Sequence, residues 1–164
     1  MKKKILAIDD SLSLREFIQR SLMRHSADYT IILAKDGTEG LRLCASEQPD
    51  LILLDFVLPD MKGDEVCRQL QSEKLTAGLP VVLMSSSVAD TRRAQNEFEN
   101  VIKAIAKPFT PELLCSTVAH SFWVLPFTNR NSCKRMLTAM CGKLAGFFSF
   151  KMNGLHPLRQ SQLP

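Results

Sequence analysis

Asp9 and Asp10 stand side by side after the apolar run ILAI, Asp55 closes the run LILL, Ser85 closes VVLM, and Lys107 follows VIKAIA and precedes a proline. Three carboxylates, a hydroxyl and an ammonium are what a phosphoryl site uses. Carboxylates hold a hard divalent cation such as Mg²⁺ or attack phosphorus, while a lysine and a serine hydroxyl take the phosphoryl oxygens. Taken singly, each residue has an ordinary reading. Asp9, Asp10 and Asp55 suit a helix cap or a turn, Ser85 lies in a Ser-Ser-Ser run, and Lys107 suits a solvated surface. What they share is position, since each interrupts an apolar run at its C-terminal end.

Those runs alternate with helical patterns. Strands are expected at 2–9, 29–35, 50–55, 80–85 and 101–106, and helices at 11–25, 37–47, 63–74, 88–99 and 111–123. Five strands alternating with five helices predict an α/β fold, a doubly wound parallel sheet with helices on both faces. In such a sheet the C-terminal ends of the strands share one edge, so the five polar residues converge. Three ionised carboxylates brought together repel, and Mg²⁺ bound by them relieves the repulsion.

Composition agrees with one domain and a short appendage. The 164 residues are 45% hydrophobic and 23% charged, and the net charge of +4 is unevenly spread. Residues 1–128 hold 15 Lys+Arg and all 17 Asp+Glu, whereas residues 129–164 hold six basic residues and no acid. The five cysteines (Cys44, Cys67, Cys115, Cys133 and Cys141) include no CxxC pair, and the first three fall on apolar helix faces, which reads as reduced thiols in a cytoplasmic protein. The apolar segment near the N-terminus is four residues long before two aspartates interrupt it, so neither a signal peptide nor a transmembrane segment is expected.

The motifs AIDD, LILLDFVLPDMKGDE, PVVLMSS and AKPF, in that order, closely resemble the receiver domain of two-component response regulators, over about residues 1–124. The resemblance implies a flavodoxin-like fold. It makes Asp55 the phospho-acceptor, Asp9 and Asp10 the metal-binding acidic pair, Ser85 the switch hydroxyl and Lys107 the phosphate-pairing lysine. The backbone carbonyl of Val57 becomes a further Mg²⁺ ligand, and Pro59 and Gly63 shape the loop that carries it. The spacings, 30 residues from Asp55 to Ser85 and 22 from Ser85 to Lys107, agree with the family. One position departs: three residues before Lys107 the family usually keeps a swinging aromatic, and here stands Ala104.

The function implied is a single-domain, cytoplasmic response regulator. It takes a phosphoryl group from a sensor histidine kinase or phosphotransfer protein and signals by binding a downstream protein. It catalyses only its own phosphorylation and dephosphorylation. The alternatives are a pseudo-receiver scaffold and a receiver fragment of a longer regulator. A flavodoxin-type protein needs a hydroxyl- or glycine-rich phosphate loop where this chain has DDSLSL, and a haloacid-dehalogenase-like phosphatase needs an aspartate at position 57.

Residues 125–164 are expected to form a linker, around Pro126, Asn129, Asn131 and Ser132, and a basic tail with no recognisable output domain. Met136, Leu137, Met140, Cys141, Leu144, Phe147 and Phe148 share one face at helical spacing. Three readings stand for that tail: a helix docked on its own body or on a second copy in a homodimer, a poorly ordered remnant, and an anchor for an anionic surface or acidic partner. No nucleic-acid motif accompanies the six scattered basic residues, so specific nucleic-acid binding is not expected.

Overall fold

The computed structural model describes residues 2–128. In chain order the elements are β1 (Lys3–Ile8), α1 (Leu12–His25), β2 (Tyr29–Ala34), α2 (Gly37–Glu47), β3 (Leu51–Asp55), α3 (Gly63–Ser72), β4 (Val81–Ser85), α4 (Val88–Glu97), β5 (Val101–Ala106) and α5 (Pro111–Thr128). All four strand pairings are parallel and the order is β2-β1-β3-β4-β5. This is the doubly wound five-stranded sheet that the alternation predicts.

The apolar runs explain the burial. β3 and β4 are buried at every position because helices cover both faces, which a continuous run tolerates and an alternating one does not. One core joins Leu6, Ile8, Ile52, Leu54 and Leu83 to Val66, Cys67 and Leu70 of α3 and Ala94 of α4. The other joins Ile5, Ala7, Leu51, Leu53 and Met84 to Ile18 and Leu22 of α1 and to Leu114, Cys115 and Val118 of α5. The helices α1 and α5 therefore lie on one face, and α3 and α4 on the other. The strand order reverses between β1 and β3, which opens a crevice at the C-terminal ends of those two strands.

Local chemistry sets the helix starts. Ser11, Asp36 and Ser87 cap α1, α2 and α4 by accepting the N–H of Leu14, Glu39 and Asp90. The cap of α1 is thus Ser11, not Asp9 or Asp10, and the acidic pair is left for other work. Cys44, Cys67 and Cys115 are buried free thiols, as their spacing predicts. The register of β5 on β4 skips Ile102: Val81 pairs with Val101 and Val82 with Lys103. The skip sets Ala104 opposite Leu83, packed against the core beneath α3 and α4.

One boundary differs from expectation. The last helix is expected to end at residue 123, but α5 continues through Leu125 and Pro126 to Thr128. A proline this close to a helix end removes a single backbone donor, where the ladder is already giving out. The linker residues Asn129, Asn131 and Ser132, the tail cysteines Cys133 and Cys141 and the apolar stripe from 136 to 148 lie outside the described residues.

Candidate phosphoryl site

The sheet register brings the site together. Ile8 pairs with Leu54, so one further step along the same ladder sets Asp9 beside Asp55. Ladder hydrogen bonds continue past the strand ends and hold the backbone of the site residues. Asp9 N–H donates to Ala34 O at 3.1 Å, Phe56 N–H to Met84 O at 2.9 Å and Lys107 N–H to Ser85 O at 2.9 Å.

Asp9 is wholly buried and Asp55 nearly so, while Asp10 is exposed. One carboxylate oxygen from each of the three lies within 4.8 Å of the others. Lys107 Nζ sits between two of them, 2.7 Å from Asp9 Oδ2 and 2.8 Å from Asp55 Oδ2. The second oxygens point to backbone donors: Asp9 Oδ1 accepts from Ser11 N–H at 2.9 Å, and Asp55 Oδ1 from Val57 N–H at 3.4 Å. Burial pushes the Asp55 carboxyl above the usual carboxylate range, and the Lys107 ammonium offsets only part of that rise. For Lys107 the balance is reversed. Burial alone favours the neutral amine, but hydrogen bonds to Asp55 and Asp9 outweigh it and hold the ammonium charged.

Three carboxylates and one ammonium leave a formal charge of −2, which suits one divalent cation. Opposite ligands of a 2.1 Å octahedron are about 4.2 Å apart, so a small rotation of these side chains suffices for Mg²⁺. The donor set is all oxygen, as that cation requires. Asp9, Asp10 and Asp55 therefore fit it. Asp10 is exposed, as is the side chain of Val57 in the loop after β3, so the cluster is open to solvent.

Ser85 ends β4 on the same edge, next to β5. Its hydroxyl oxygen accepts the Ser87 N–H at 3.0 Å, which leaves its own proton to donate. Gly63 acts by close approach: a Cβ there would stand 2.9 Å from Phe56 Cα and 3.0 Å from Asp55 O, so only glycine lets α3 begin against the tip of β3.

Two supporting residues escaped the sequence reading. Arg15, one turn into α1, donates from Nη1 to the carbonyls of both Asp9 and Asp10, clamping the backbone of the acidic pair. Asp60 binds the start of α2 from the loop after β3. Their signal, a charged residue within one turn of the site, is too common in sequences to stand out.

A response regulator receiver domain matches residues 5–119. The chain is 36% identical over 118 residues to the alkaline phosphatase synthesis transcriptional regulatory protein PhoP of Bacillus subtilis (strain 168), covering 68% of this chain and 45% of PhoP. It is also 36% identical over 114 residues to the response regulator MprA of Mycobacterium ulcerans (strain Agy99), covering 70% of this chain and 47% of MprA. The chain thus spans less than half the length of either relative. Among solved structures, chemotaxis response regulator CheY4 of Vibrio cholerae superposes with a TM-score of 0.67 at 26% identity, over 73% of this chain and 98% of CheY4. The phosphorylated cyanobacterial phytochrome response regulator RcpA superposes with a TM-score of 0.63 at 25% identity, over 79% of this chain and 97% of RcpA. Receiver domains of two-component systems accept phosphoryl groups and bind Mg²⁺ in an acidic pocket as a general property of the family. With the match over most of its length and the fold and acidic cluster in agreement, the chain belongs to the response regulator receiver domain family.

Proposed function

We propose that the chain is a response regulator that accepts a phosphoryl group on Asp55 from a sensor histidine kinase or phosphotransfer protein. A carboxylate oxygen of Asp55 attacks phosphorus in line, the phosphorus–nitrogen bond to the donor histidine breaks, and its electron pair stays on the imidazole. Lys107 moves from the carboxylates to a phosphoryl oxygen, and the Ser85 hydroxyl donates to another. Asp9, Asp10, Asp55 and the Val57 carbonyl would hold Mg²⁺, which would supply charge neutralisation to the transferring group. The added charge then draws the loops after β4 and β5 toward Asp55, and a partner protein reads the changed surface.

The observation that carries this reading is the Lys107 ammonium held between the oxygens of Asp9 and Asp55 in a cluster of net charge −2. An intact acidic set argues against a phosphorylation-independent scaffold. Ala104 cannot swing as an aromatic ring does, so the readout runs through other residues of this face. That the chain spans under half of PhoP and MprA supports a second reading, a receiver whose output segment belongs to a longer regulator. Among the described residues no helix is long and apolar enough to cross a membrane. Intact-mass measurement after incubation with acetyl phosphate and Mg²⁺ tests the assignment. Wild type gains one phosphate, and Asp55→Asn or EDTA abolishes the gain. An unchanged gain in Asp55→Asn refutes it.

A further inference from the structure

The loop of residues 56–62 leaves the tip of β3, where the Val57 N–H donates to Asp55 Oδ1 at 3.4 Å, and returns to α3. Within the loop a bridge joins Val57 to Lys62 and the Gly63 N–H donates to Phe56 O at 2.8 Å, while Phe56 and Leu58 are buried in the core. The far end of the loop is tied to a different element. Asp60 Oδ1 accepts the Gly37 N–H at 2.9 Å, and its Oδ2 accepts the Thr38 N–H at 2.8 Å and the Thr38 hydroxyl at 2.7 Å. Gly37 and Thr38 are the first two residues of α2, whose third N–H, that of Glu39, goes to Asp36 at 2.8 Å. Met61 lies against the same point, since a Cβ on Gly37 would stand 2.5 Å from Met61 Cγ and 2.7 Å from its Sδ.

The carboxylate is well suited to a permanent tie. Its slight burial works against ionisation, but the bonds from Gly37 and Thr38 outweigh it and hold the carboxyl down at about 2. The tie is therefore made at every physiological pH. A loop pinned to a helix at its far end has less freedom to lose when a cation takes a carbonyl from its near end.

We propose that Asp60 is a positioning residue of the phosphoryl site: by clasping the start of α2 it fixes the path of the 56–62 loop, and with it the Val57 carbonyl beside Asp55. This rests on the site reading above and adds a residue that touches neither metal nor phosphoryl group. Asp36 supplies the control. It caps the same helix terminus but makes no bond to the loop, so a merely helix-capping role predicts equal effects for the two aspartates.

The test is Mg²⁺ titration by calorimetry on the full chain, with amide hydrogen exchange of residues 56–62 in EDTA. Asp60→Ala is expected to weaken Mg²⁺ binding about tenfold, the scale seen when a residue that orients a ligand is removed. It also speeds exchange across the loop. Asp36→Ala is expected to leave Mg²⁺ affinity within about twofold and the loop amides protected, while both variants lose comparable thermal stability through α2. Equal weakening of Mg²⁺ binding by the two variants overturns the proposal, as does unchanged binding in Asp60→Ala. A wild-type chain that binds no Mg²⁺ overturns the site reading and the proposal together, whereas tight wild-type binding with an indifferent Asp60→Ala overturns the proposal alone.

Discussion

Lys107→Met removes the ammonium that joins two carboxylates and keeps most of the stem. At an effective dielectric of about 20, a charge pair at 2.8 Å attracts by about 6 kcal/mol, part of which is spent on desolvation. The side chain of Lys107 is 21% exposed while those of Asp9 and Asp55 are 0% and 9% exposed. Removing one partner from such a pair strands buried charge. The lower end of the usual range applies here, about 3 kcal/mol, because Lys107 keeps some water. For a domain of this size that is a fall of about 10 °C in Tm in EDTA at pH 7.5. Mg²⁺ takes over the neutralising role, and at about 100 times its Kd it returns about 2.7 kcal/mol. With one less positive neighbour, the variant binds Mg²⁺ as tightly as wild type or tighter. The expected pattern is therefore a large Tm loss in EDTA, a Tm rise on adding Mg²⁺ at least as large as that of wild type, and a weakened conformational response to beryllofluoride. If wild type and variant melt within about 2 °C of each other in EDTA, the clamp is no stronger than an exposed pair and the reasoning fails. Collapse of Mg²⁺ binding in the variant refutes it equally.

Asp55→Asn is expected to raise Tm in EDTA at neutral pH. Burial lifts the folded-state pKa of Asp55 above its unfolded value, so the ionised group penalises folding at pH 7, and the penalty fades as pH falls through the folded value toward about 3.9. A melting series should show the variant's advantage shrinking on acidification, and a constant or growing advantage contradicts the assignment. Gly63→Ala drives a Cβ into the backbone of Phe56 and Asp55, and a loss of about 1–3 kcal/mol is expected by chemical denaturation, together with slower phosphorylation. Arg15→Gln should loosen the carbonyls of Asp9 and Asp10 and weaken Mg²⁺ binding with little change in Tm. Burial pushes the Cys44 and Cys67 thiols up to about 12, so in a Cys133→Ser, Cys141→Ser background a thiol reagent at pH 8 should leave both unmodified until the chain is denatured.

The charged groups of the site were legible because each one breaks an apolar run at a strand end, and a parallel sheet turns that one-dimensional pattern into a shared edge. Asp9, Asp55 and Lys107 come together for that reason alone. The register slip at Ile102 was not legible, since VIKAIA alternates too weakly to mark a skipped residue. Nor was the length of α5, because Pro126 reads as a stop when it falls within the last turn of a helix that tolerates it. Arg15 and Asp60 act through hydrogen bonds to backbone groups of other residues, and a side chain aimed at a peptide carbonyl or N–H leaves no complementary side chain to find in the sequence. Gly63 was legible as a special residue, but the cause lies in the nearness of Asp55 O, a distance that only the packed fold contains.

Lys107 meets Asp9 across 98 residues of chain. During synthesis the acidic pair and Asp55 leave the ribosome well before the cation that joins them, and the lysine follows only when β5 is made. A nascent chain stopped short of β5 thus carries Asp9, Asp10 and Asp55 without the ammonium that joins two of them in the folded chain. The site is therefore completed only with the last strand, because a chain that ends before Lys107 has the carboxylates of Asp9 and Asp55 without the counter-charge that joins them.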